Sequence, residues 1–141
     1  MTIRDKLLLA RRLFSEGSSE KAMKLMCEVP ADYPLSSTDL IIKARLIQVT
    51  ECGAFTLEDA EKCLRDAMQQ DPSNVYVLIE LAFFESRVLG LEADAEAKFV
   101  RAMTMLSDEL KECAEGLLEV RGVDQSDPRY HEMLNALLHI K

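Results

Sequence analysis

The chain contains no tryptophan and only three tyrosines and five phenylalanines in 141 residues. That scarcity argues against a carbohydrate site or an aromatic-lined peptide pocket, because both are built on stacked rings. Glycine and proline are scarce too, five and four, and they fall between apolar stretches. With no run alternating polar and apolar residues at period two, helices are the expected element. No apolar run approaches the roughly 20 residues a helix needs to cross a bilayer. The first residues, Met1-Thr2-Ile3-Arg4-Asp5-Lys6, are too charged for a signal sequence, and the apolar run from Leu7 to Ala10 is too short for one.

Catalytic and metal signatures are missing as well. There is no glycine-rich phosphate loop, no H-E-x-x-H, and no legible Ser-His-Asp or Cys-His arrangement, so the sequence points away from an enzyme and implies no cofactor. His131 and His139 lie eight residues apart on one expected helix; without metal-site spacing they are read as structural or surface histidines. Cys27, Cys52, Cys63 and Cys113 form no C-x-x-C and no zinc-type pattern with histidine. Beside apolar neighbours such as Met26 and Leu64, they are expected to be buried, reduced thiols in the cytoplasm. The net charge is −8, which makes nucleic acid and anionic membranes poor partners. The acidic pairs Glu58-Asp59 and Asp108-Glu109 fall in expected first turns, where they complement the helix dipole.

What is present is a repeated spacing. Ala22, Met26, Val29 and Pro34 are four, three and five residues apart; Ala60, Leu64, Ala67 and Pro72 repeat it. Ala95, Phe99 and Ala102 repeat it again, with Ser107 in place of the proline. Each set follows a helix with a small residue on its apolar face: Ala10, Ala44 and Ala82. A period in the thirties built from helix pairs marks a helical repeat array. Helices are expected over about 2–15, 18–29, 39–50, 56–70, 74–89, 92–106, 107–121 and from 127 onward. Capping boxes are expected at Thr2–Asp5 and Thr56–Asp59. The 74–89 helix is apolar on most faces and is expected to be central. The final helix carries Met133, Leu134, Leu137, Leu138 and Ile140 on one stripe. Most methionines, from Met23 to Met133, sit at helical spacing and read as core.

These residues resemble the tetratricopeptide repeat (TPR) family. Leu9-Ala10 and Leu81-Ala82 match its large–small step in the first helix of a pair. Ala60-x-x-x-Leu64-x-x-Ala67 and Ala95-x-x-x-Phe99-x-x-Ala102 match its second helix. Asp71-Pro72-Ser73-Asn74 is similar to its D-P-x-N boundary. Lys43 and Glu85 depart from the pattern, and the turn around Cys52 to Thr56 is long. The resemblance implies an all-α, antiparallel helix-pair solenoid forming one domain over 1–141. Its units would be 2–34, 37–72 and 74–106, followed by C-terminal capping helices over 107–141.

It further implies a protein-binding module whose first helices line a concave groove. The matching positions are Arg4, Leu7, Arg11 and Phe14, then Thr38, Ile41, Arg45 and Gln48, then Tyr76, Ile79, Phe83 and Arg87. Four arginines and no carboxylate in that set suggest an acidic, amphipathic peptide or helical segment of a partner protein. A scaffold or adaptor is one form of this reading. A small acidic chaperone, similar to the TPR chaperones of bacterial secretion systems, is the alternative. Homo-oligomer formation stays open.

Overall fold

Most helix starts follow from a capping side chain. In the computed structural model, which describes residues 1–139, Thr2 and Asp5 exchange hydrogen bonds to open α1 (Ile3–Ser15). Thr56 and Asp59 do the same for α4 (Leu57–Gln70). Ser36 accepts the Asp39 N–H to open α3 (Ser37–Val49), and the Asn74 side chain accepts from Tyr76 to open α5 (Val75–Phe84). Each cap satisfies an amide that the first helical turn leaves unpaired. The remaining helices are α2 (Ser19–Cys27), α6 (Glu92–Val120) and α7 (Tyr130–Leu138). A π-helical segment, Glu85–Leu89, follows α5. The chain is all-helical, with no strand among the described residues. Ile140 lies outside them.

Several expected boundaries are corrected. α2 stops at Cys27, short of Val29. The expected 74–89 helix is α up to Phe84 and π beyond it. The break expected at Ser107 is absent: α6 runs unbroken through 107 to Val120. Nothing there stops it, since Ser107-Asp108-Glu109 contains neither proline nor glycine to interrupt the hydrogen-bond ladder. The last helix begins at Tyr130, because Asp127 closes a turn instead, accepting the Arg129 N–H on its carboxylate and the Tyr130 N–H on its carbonyl.

The chain divides into two compact units, Met1–Lys98 and Phe99–Lys141. In the first, α1 packs on α2 and α3, α2 on α3, α3 on α4 and α5, and α4 on α5. The small residues of the repeated spacing are buried: Ala10, Ala22, Ala44, Ala60, Ala67 and Ala82 have no exposed surface. Missing side-chain bulk lets helices approach, and Met26, Leu46, Leu64 and Phe84 fill the space between them. Gly17 ends α1 at φ +84°, with the Ser18 N–H reaching back to the Leu13 carbonyl at 2.8 Å. That six-residue closure needs a left-handed residue, which glycine supplies. Asp71-Pro72-Ser73-Asn74 is closed by Asn74 on Asp71, and Ser37 at the start of α3 donates to the same Asp71 carboxylate.

In the second unit, Ala114 and Leu118 of α6 pack with Val123, Tyr130 and Leu134, bordered by Met133, Leu137 and Leu138. The apolar stripe of the last helix therefore lies against the C-terminal part of α6.

Two expectations about the core are revised. Met23 and Met26 are buried, whereas Met103 is 70 % exposed. Of the cysteines, only Cys63 is buried; Cys52 is half-buried, and Cys27 and Cys113 are exposed. Cys27 lies one residue past buried Met26 at the end of α2, which turns it off the apolar stripe.

Candidate functional site

The expected groove residues all belong to the first unit, and four of them, Arg45, Gln48, Phe83 and Arg87, line one cleft. Leu7 is a core residue. Arg4 is exposed, Thr38 lies exposed in the first turn of α3, and Tyr76 is 68 % exposed at the start of α5. Ile41 and Ile79 are half-buried, Ile41 against the core. Arg11 is held elsewhere: its Nε donates to the Asp39 carboxylate at 2.7 Å, and its Nη2 donates to the Ser36 hydroxyl at 3.3 Å. Asp39 is buried and also accepts from the Ser36 hydroxyl. This bond raises the Arg11 pKa against the opposing pull of burial. Arg11 thus fastens α1 to the N-terminus of α3.

The other positions converge. Arg45, Gln48 and Val49 of α3, Glu80 and Phe83 of α5, and Arg87 of the π segment line an open cleft of about 370 Å³. The Arg45 guanidinium lies 5.2 Å over the Phe14 ring of α1, and that of Arg87 lies 4.2 Å over the Phe83 ring. A cation over an aromatic face is held by the ring quadrupole, which fixes a flexible side chain in place. Arg45 is also 3.8 Å from the Glu80 carboxylate. Burial pushes the Glu80 carboxyl above its usual range, while Arg45 and Arg87 pull it down. Gln48 turns its amide back to the Ala44 carbonyl. The cleft therefore combines two arginines, each held over an aromatic ring, with Phe83 and one half-buried carboxylate in its walls. Sequence reasoning missed Glu80 because it is one helical step beyond the family's groove positions.

A second cleft, about 600 Å³, lies beside the α2–α3 connection. Tyr33, Pro34, Leu40, Lys43, Phe55 and Cys63 are among its walls. Lys43 sits 4.3 Å over the Phe55 ring, so the long turn and the lysine that broke the repeat pattern meet there. Burial raises the Cys63 thiol pKa.

Among the described residues no group of His, Cys, Asp and Glu is arranged to hold a metal ion, and no helix is long and apolar enough to cross a membrane. His131 and His139 are both exposed; the His131 ring meets Tyr130 edge-on, and the His139 ring contacts the Asn135 carbonyl. Compared with family models, curated proteins and solved structures, the chain matches none.

Proposed function

We propose that the first unit is a TPR-like helix-pair solenoid that binds an acidic, amphipathic peptide or helical segment of another protein. The observation that carries this reading is the convergence of Arg45 on Phe14 and of Arg87 on Phe83 around one open cleft. Ring-held guanidiniums are preorganised to grip carboxylates with two bonds, and Phe83, 38 % exposed, adds apolar surface beside them. The protein acts by binding, as an adaptor or scaffold in the cytoplasm, and not by catalysis. The chaperone reading shares the cleft and differs in the client: a chaperone's client is insoluble alone.

Capture from a host lysate tests this. The wild-type chain is expected to retain a partner that Phe83→Ala/Arg87→Glu loses with its circular dichroism unchanged. Lys62→Ala, on exposed α4 surface, retains it. Because the Glu80 carboxylate occupies Arg45, Glu80→Gln is expected to tighten binding about two- to fivefold, the range of an exposed ion pair. Retention by the cleft variant together with loss by Lys62→Ala would place the interaction on the second helices and overturn the reading.

A further inference from the structure

The exposed cysteine at the end of α2 does not stand alone. Cys27 Sγ lies 3.5 Å from Cys52 Sγ, although 25 residues separate them in the chain. Cys52 sits in the irregular 51–56 turn between α3 and α4, next to Gly53. A disulfide needs the sulfurs at about 2.05 Å, with the Cβ atoms facing each other. The sulfurs have about 1.5 Å left to close, an approach open to two χ1 rotations and to a turn outside any helix. No histidine, carboxylate or further cysteine joins the pair to make a metal site among the described residues, so a metal is not the partner these thiols await.

We propose that Cys27 and Cys52 are a dithiol that closes to a reversible intramolecular disulfide by exchange with a small-molecule disulfide such as oxidised glutathione. Cys27, the exposed member, loses its proton to solvent and attacks one sulfur of the glutathione disulfide. A protein–glutathione bond forms, and one glutathione thiolate leaves. Cys52 then loses its proton and attacks the Cys27 sulfur, displacing the second glutathione. Two protein thiols are oxidised to one disulfide, and one glutathione disulfide is reduced to two thiols. The bond would tie the end of α2 to the α3–α4 turn and hence join the first two helix pairs covalently. Burial and the neighbouring Cys52 raise the Cys27 thiol pKa, and the charge of Lys43 works against them.

The test uses the full chain with Cys113→Ser, which removes the other exposed thiol. After incubation with oxidised glutathione, the intact mass is expected to fall by two hydrogens with no glutathione retained. Trypsin should then release Leu25–Lys43 joined to Leu46–Lys62, and dithiothreitol should separate them. The crosslink is expected to raise the Tm by about 5 °C or more, from the closed loop's lost unfolded-state entropy. Adding Cys52→Ser should leave one stable glutathione on Cys27. Overturning results are glutathione retained separately on Cys27 and Cys52 of the otherwise intact chain, no oxidation of either residue, or a crosslink that involves Cys63.

Discussion

At the residue scale, the decisive side chains are those whose partners are far away in sequence. Arg11 looked like a ligand-binding arginine because it matches a first-helix groove position of the family the sequence resembles. Its partner, Asp39, is 28 residues on, and a spacing pattern carries no record of which charges meet across a helix pair. The same limit hid Glu80 opposite Arg45 and Cys52 opposite Cys27. Local pairings, by contrast, were legible: Thr2 with Asp5 and Thr56 with Asp59 are three residues apart, and both make the expected reciprocal caps. The Arg11–Asp39 contact gives a stability prediction. Removing one member of a buried pair leaves the other desolvated, at about 3–5 kcal/mol for full burial. Arg11 is 38 % exposed, so Arg11→Ala is expected to cost about 1–3 kcal/mol. Arg11→Glu should cost more, because it sets a second carboxylate against Asp39. Urea denaturation would measure both, and a cost within about 0.5 kcal/mol of zero, as for an ordinary surface change, would show that the pair is not structural.

At the element scale, the repeated small residues marked buried positions, since Ala10, Ala22, Ala44, Ala60, Ala67 and Ala82 all lie in the core. Helix ends were less legible where the repeat pattern stood in for a stop signal, as at Ser107. The π segment was not legible at all. It begins at Glu85, the residue that broke the repeat pattern, and that residue is only 2 % exposed. Lys98 Nζ of α6 lies 2.6 Å from Glu85 Oε1, and Arg65 of α4 lies 3.9 Å from Oε2. Lys98 is therefore no neutral surface lysine, and Lys62, 75 % exposed on α4, is the better control. The buried pair is expected to be more costly to break than to replace. Lys98→Ala alone should lose about 3 kcal/mol by leaving Glu85 without its nearest cation. Lys98→Met with Glu85→Met should lose less than either single change, or gain stability. A double-mutant cycle in chemical denaturation decides this, and simple additivity of the two changes would refute the coupling.

At the scale of the whole molecule, the charge distribution works in two directions. The chain carries a net charge of −8, while the candidate cleft presents Arg45 and Arg87 beside Phe14 and Phe83. Composition disclosed the first fact, and the resemblance to a repeat family grouped those four residues with others, but only the folded chain shows that Arg11 is already paired. An acidic partner approaching from a distance meets the net charge; once docked, it meets the arginines. Salt separates the two ranges, because the screening length shortens from about 30 Å at 0.01 M to about 10 Å at 0.1 M. Raising salt over that interval is expected to weaken the long-range repulsion first and so increase the association rate of an acidic peptide. Contacts inside the cleft are closer than the screening length throughout, so dissociation should quicken only modestly. Most interfaces steered by opposite charge behave in the other sense, with association slowing as salt rises. Stopped-flow measurements with a labelled acidic amphipathic peptide, on the wild type and on Arg87→Glu, read both rates. An association rate that falls steeply with salt in the wild type would mean that a positive field steers the partner to some other surface, and the cleft would lose its claim as the first point of contact.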